Sequence, residues 1–373
     1  MKSANFRLIL LAFLLAAALS LPSCQQHKQT DPARKNLPIV LHDTISSEQF
    51  QALLNQLPTE KTVLADERYR DRLPSQVKVQ RFDDLQYRQG HWRIPDKRYN
   101  PADADYILAL YSHYLRAILA EPSWWTIKAA TKIDEGLALT LLERKAVEAA
   151  FEPPLSAEAF AQAMDNMVRI KWKRGECKRV GCSGKAFLID RYETTHAQYA
   201  HFLNEIGIAY DETIVYYNVK DPASRISYVD GSYRVHRGAG DLPVYNVSWY
   251  GANAFCRHYN KRLPQNIEWS KAAGFFDGDM YPWGDGDDVR KRANLLGAED
   301  GYDFWAPVGS FPEGVSRYGV YNLGGNACEW IELGKVRGGS IEHKPAASRN
   351  DVEDANERLA RNLHDGFRCA QDE

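Results

Sequence analysis

From about residue 171 to residue 373 the chain shows few helical periods, while glycine, tryptophan, asparagine and proline become frequent. So long a stretch without regular structure is uncommon inside a compact domain. Backbone ladders alone do not hold such a chain. Metals, disulfides or buried aromatic side chains have to fix it. The nine Trp and twenty Tyr suit that role, but aromatic rings also line ligand clefts, so their number does not choose between core and site.

The full length of 373 residues allows about two domains. A formal net charge of −2, from 47 basic and 49 acidic residues, gives no basic face for nucleic acid. Lys2 and Arg7 precede an apolar run, LILLAFLLAAALS, that suits a secretory signal and is short of the ~20 residues of a membrane span. The run ends in Leu21-Pro22-Ser23-Cys24, similar to a lipoprotein sorting box. Residues 1–24 are therefore read as a lipoprotein signal with Cys24 as the acylated residue. An ordinary cleaved signal or an uncleaved anchor is the alternative. Gln25 after the cysteine, rather than Asp, favours the outer membrane. Residues 25–37 are polar and read as a flexible tether.

Residues 38–170 read as mainly helical and of unreadable role. SSEQFQALLNQL has a serine cap before an amphipathic run, and residues 104–119, 127–150 and the segment from Ser156 carry helix-like spacing. Beyond residue 171, FLIDRYE reads as a strand and THAQYAHFLNEIG as a threonine-capped helix. Residues 209–242 form a turn-rich insert. Residues 247–264 read as one serine-capped helix and 267–274 as a second, short one. Five cysteines follow Cys24, namely Cys177, Cys182, Cys256, Cys328 and Cys369. Export favours pairing, and an odd count leaves at least one thiol over.

The ordered blocks LPVYNVSWYGANAFC, KRLPQNIEWSKAA, YPWGD, APVGSFP, YGVYNLGGNACEW, VRGGS and GFRCA resemble the formylglycine-generating enzyme, or sulfatase-modifying factor, family. The resemblance covers about residues 175–373. It implies an α+β, C-type-lectin-like fold with little regular secondary structure over 171–373, preceded by the helical region. It implies two calcium sites. One would take Asn294, the Leu295 carbonyl, Asp300 and the Tyr302 carbonyl. The other would take Asn322, the Gly325 and Ala327 carbonyls, and Glu329. Hard oxygen donors of this kind suit calcium, although the same Asn and Asp types also make turns. Cys256 and Cys369 fall where the family bridges a helix to the final strand. For Cys177 and Cys182 a small-loop disulfide, metal binding and reduced thiols all remain open.

The family oxidises a substrate cysteine using two cysteines beyond the Gly-Gly-Ser turn that bind copper(I), an ion suited to thiolates. Those positions fall here on His343 and Ser348, so copper is not expected, while Arg337 and Ser340 are retained. Cys328 stands where the family usually has Trp. One expectation has Cys328 as a small buried apolar group and His343 on the surface. The sharper one has both facing a single cleft as a rebuilt metal site. No His-x3-His-x-Glu run of the kind used by related non-haem iron proteins exists, as His196 and His201 are five apart. The resemblance thus implies a lipid-anchored, outer-membrane envelope protein that binds a peptide, glycan or protein partner without catalysis. An oxygen-dependent oxidoreductase with a rebuilt metal site is the alternative.

Overall fold

A computed structural model describes residues 151–373 apart from 210–214, 220, 222, 287, 297–299 and 303, together with seven upstream strands and the helical residue Ala52. The signal segment, Cys24 and the tether lie outside the described residues.

The upstream strands overturn the helical reading over their own spans, which lie within 62–144. β1 (Thr62–Ala65), β2 (Lys78–Arg81), β5 (Tyr106–Leu110), β6 (Trp125–Asp134) and β7 (Leu137–Arg144) form one sheet in the order β2-β1-β5-β7-β6. β1 pairs in parallel with both β2 and β5, whereas β7 is antiparallel to β5 and β6. β3 (Gln86–Arg88) and β4 (His91–Arg93) form a separate hairpin. The helical expectation rested on Ala, Leu, Glu and Lys content. Segments 125–134 and 137–144 also carry a period of two, with Ile127, Ala129, Thr131 and Ile133 alternating against Thr126, Lys128, Ala130 and Lys132. Glu135-Gly136 supplies a two-residue connection between β6 and β7. Strand pairing then outweighs intrinsic helix preference, which is only a weak prior.

Elements just upstream of residue 171 pair with or pack on the lectin-like part. Phe151 bridges His236, α1 (Ala157–Met164) is capped by Ser156, and β8 (Met167–Ile170) pairs with β9 (Phe187–Asp190). β9 also pairs with β16 (Ala370–Asp372), so both ends of this part meet in one antiparallel sheet. α2 (Glu176–Val180) carries the Cys177–Cys182 disulfide. α3 (His196–Ile206) starts in a full capping box between Thr195 and Gln198, which satisfies two backbone donors otherwise left orphaned. The insert folds back as hairpin β10–β11 (Ile226–Val229, Ser232–Val235). Its Asp230-Gly231 turn has φ of 51° and 78°, the left-handed pair that a two-residue hairpin turn requires.

α4 (Trp249–His258) is capped by Ser248 and ends six residues before the expected limit at 264, because Asn260 turns left-handed with φ 57°. α5 (Asn266–Ala272) follows. The second sheet runs β14 (Glu353–Ala355), β13 (Lys335–Arg337), β12 (Cys328–Trp330), β15 (Asp365–Gly366), with Cys328 beside Asp365 in the parallel pair. Between the elements lies an aromatic core of Tyr199, Phe202, Tyr217, Tyr245, Phe255, Trp305, Trp330 and Phe367. A second cluster joins Trp269 to Ile189, Val320, Leu323 and Ile331. The Cys256–Cys369 disulfide ties α4 to the chain just before β16. Rings and disulfides therefore do the fixing that few ladders provide.

Candidate functional site

β13 leads straight into Gly338 and Gly339, with φ of 93° and 68°. Only glycine takes both angles without strain. Space demands it too: a Cβ on Gly338 would meet the Leu323 carbonyl oxygen at 2.8 Å, and one on Gly339 would meet Ser348 Oγ at 2.8 Å. The turn aims Ser340 inward, where it is fully buried.

Arg337 does not reach solvent. It donates to Asn266 Oδ1 and to the Asn350 carbonyl, and its guanidinium lies 4.6 Å over the Trp269 ring. Burial draws its pKa down to about 10, because desolvation penalises the charged form. Arg337 is thus a wall that joins α5, β13 and the loop before β14.

His343 is buried rather than on the surface, at 3% exposure. Its Nδ1 lies 2.7 Å from Ser340 Oγ and 3.9 Å from Cys328 Sγ. Cys328 and His343 are thus buried neighbours, Cys328 as the small buried group of the first expectation and His343 away from the surface where that expectation put it. His364 stands edge-on to His343, with ring centroids 5.6 Å apart and planes at 88°. Glu342 and Asp365 hold His364 at 3.3 Å and 3.6 Å. The backbone locks the group, since Cys328 N donates to the His364 carbonyl and His343 N to the Ser340 carbonyl. Ser348 is separate. It ends a 3-10 turn, is fully buried beneath Gly339, and its hydroxyl has no hydrogen-bond partner.

The first oxygen set is a closed loop. Asp300 accepts from the backbone N–H groups of Leu295 and Tyr302 at 2.9 Å and 3.0 Å. Asn294 donates to the Phe304 carbonyl and to Asn326 Oδ1. Burial raises the Asp300 pKa despite these donors. A carboxylate faced by neutral amides and penalised for its charge fits a hard cation. The second set is different. Glu329 Oε1 accepts from Arg368 Nη2 at 2.6 Å, and Oε2 accepts from Arg368 Nε and Trp269 Nε1 at 2.8 Å and 2.9 Å. Here a buried guanidinium neutralises the carboxylate that a second calcium would use, so these residues do not fit a second ion as a free donor set. Among the described residues no group of three or more His, Cys, Asp and Glu could hold a metal.

Sequence reasoning gave no role to Glu193 or Asn326. Glu193 accepts from Asn322 Nδ2 at 2.7 Å and Asn326 Nδ2 at 3.0 Å, fully out of solvent. Burial pushes its pKa up to about 8, against the pull of Arg368. The chain Asn294–Asn326–Glu193–Asn322 thereby links both oxygen loops. The available signal was the left-handed backbone of Asn322 and Asn326, with φ of 53° and 62°, in a Gly-Asn loop.

A cavity of about 480 Å³ opens elsewhere, between the Cys177–Cys182 loop and the start of α5. Trp172, Phe187 and Ile267 give it an apolar floor, and Lys185, Arg262 and Glu268 a charged rim.

The lectin-like scaffold, the buried Gly-Gly-Ser turn and the order of its loops define a sulfatase-modifying-factor-type domain. The Sulfatase-modifying factor enzyme 1-like domain family matches residues 178–373, and the chain belongs to that family. The Inactive C-alpha-formylglycine-generating enzyme 2 of Mus musculus is 33% identical over 158 residues, 35% of this chain and 49% of that protein. The Formylglycine-generating enzyme of Thermomonospora curvata is 33% identical over 180 residues, 39% of this chain and 58% of that one. The chain spans less than two thirds of either relative, and equal identity to both leaves catalysis to be decided by the site. The structure of PvdO from Pseudomonas aeruginosa is 22% identical, with a TM-score of 0.42 over 51% of this chain and 82% of that one.

Proposed function

We propose that this chain is a non-catalytic member of the family, a binding module for a peptide, glycan or protein partner held at the cell envelope. The observation that carries the reading is the content of the two family cysteine positions. His343 is tied to Ser340, and Ser348 is sealed under Gly339, so neither provides a thiolate. Cys328 is the one cysteine among the described residues outside a disulfide, and it sits on another strand. Two thiolates converging on one ion, which the family's oxidation needs, are absent from that arrangement.

Incubating the protein with oxygen, copper(I) and a cysteine peptide carrying a sulfatase motif tests this. Unchanged peptide mass is expected. Conversion of the peptide thiol to an aldehyde overturns the reading.

Two further assignments belong to the proposal. Cys24 carries the lipid anchor, which places the domain at the outer membrane; metabolic labelling with a tagged fatty acid should fail in Cys24→Ser. Calcium occupies the loop of Asn294, Leu295, Asp300 and Tyr302; a chelator should lower the melting temperature of the protein but not that of Asp300→Asn. The cavity beside Trp172 offers a ligand-binding surface. Its apolar floor and charged rim suit a short peptide better than a bare anion.

A further inference from the structure

The Cys328–His343 pair satisfies a geometric condition that neither residue satisfies alone. Sulfur and nitrogen stand 3.9 Å apart. Bonds of about 2.3 Å to sulfur and about 2.0 Å to nitrogen, as a filled-shell d10 ion takes them, give a straight S–metal–N span of about 4.3 Å. The observed gap is within about 0.4 Å of that span, a difference that small χ rotations cover. The pair comes from two elements, β12 and the turn after Gly339. Backbone bonds fix both, from Cys328 N to the His364 carbonyl and from His343 N to the Ser340 carbonyl.

We propose that Cys328 Sγ and His343 Nδ1 form a two-coordinate site for a soft monovalent cation. The ligand chemistry sets the class. Thiolate selects soft ions, and imidazole accepts them. No third carboxylate, thiolate or imidazole converges here, because among the described residues no group of three such side chains could hold a metal. Tetrahedral zinc is therefore disfavoured, and an ion content with two ligands is not. This pair differs from the one used by the family: it joins one sulfur to one nitrogen, and the sulfur arrives from a different strand.

Ser340 competes with the ion for this nitrogen. Its hydroxyl, at 2.7 Å, occupies Nδ1 in the metal-free protein and yields when the ion arrives. His364 and Glu342 mark the entry. Their side chains are 13% and 14% exposed, whereas Cys328 and His343 are 1% and 3% exposed. Binding replaces the thiol proton by the cation, so one proton leaves per ion bound. The proposal is independent of the non-catalytic reading, since one sulfur does not restore the family's pair.

The test uses the full chain carrying Cys24→Ser, with its disulfides intact and no added thiol, titrated with silver(I). Silver serves as the probe because it does not cycle between oxidation states under these conditions. One ion per chain is expected, and silver X-ray absorption should show one sulfur and one nitrogen neighbour. Cys328→Ser and His343→Ala should each weaken binding by more than about 100-fold, beyond the 10–100-fold typical of a residue that only supports a ligand. Ser340→Ala should leave it unchanged or tighten it, because the hydroxyl gives up Nδ1 when the ion arrives. Absence of stoichiometric binding overturns the proposal. So does a sulfur-only shell, or affinity retained within about 10-fold in both ligand variants. Near-ultraviolet circular dichroism reports folding; if a variant unfolds, absorption on the unsubstituted protein decides alone.

Discussion

Lowering the pH through the histidine range should destabilise this protein through its buried histidines, His196 and His236, whose pKa values burial lowers. The His196 ring is fully buried, edge-on to Tyr245 at 4.7 Å and beside the Arg225 cation. Nδ1 lies 3.2 Å from the Leu242 carbonyl, and Nε2 has no hydrogen-bond partner. Burial, with Arg225 adding repulsion, draws its pKa from 6.5 down to about 3. The unfolded chain takes up the proton near pH 6.5 and the folded one does not. The stabilising effect is thus complete above that pH and is lost as pH falls toward 3. A gap of about 3.5 pH units corresponds to roughly 5 kcal/mol. That is a large part of the 5–15 kcal/mol typical of a domain. Guanidinium unfolding at pH 7, 6, 5 and 4 should show the slope in the wild type. Subtracting the same series for His196→Gln removes the shared carboxylate titrations. The difference should grow by about 1.4 kcal/mol per unit below pH 6.5. Parallel curves would refute the reasoning.

Three other outcomes follow from the same physics. Glu193, pushed up to about 8, has the opposite sign: its stabilising effect is complete below pH 4.5 and is lost as pH rises through 8. Glu193→Gln should raise the melting temperature at pH 8 in chelator and leave it little changed at pH 4. Replacing both Cys256 and Cys369 by alanine opens a closure of 113 residues and should cost roughly 4.7 kcal/mol by chain entropy, against about 2 kcal/mol for the pair spanning 5 residues, Cys177 and Cys182, as denaturant midpoints will show. Gly339→Ala forces a side chain to φ 68° and against Ser348 Oγ, so it should destabilise by about 1–3 kcal/mol in urea melts; Ser348→Gly in the same chain should recover part of the loss.

Much of the lectin-like part was legible because its signals are local. The caps at Ser156, Thr195 and Ser248 each hydrogen-bond as their residue types imply. Cys256 and Cys369 join as the resemblance implied, and Cys177 and Cys182 take the disulfide among the three readings open to them. Local signals failed where partners decide. Segments Tyr106–Leu110, Trp125–Asp134 and Leu137–Arg144 have helix-forming composition, yet they form strands because neighbouring segments supply hydrogen bonds that no short window reveals. The pairing of β8 with β9 across the intervening loop was likewise invisible to any short window.

The amino-acid order alone determined the family, the glycines of the turn and the absence of sulfur from residues 343 and 348. Only the tertiary structure decided what those substitutions mean. It withdrew His343 from solvent and brought it to Cys328, fifteen positions away. It gave Glu329 the buried guanidinium of Arg368 as a partner. Residue identity sets which chemistry a side chain can perform, but distance and desolvation set which partner it performs it with, and those arise only when strands far apart in sequence are packed together.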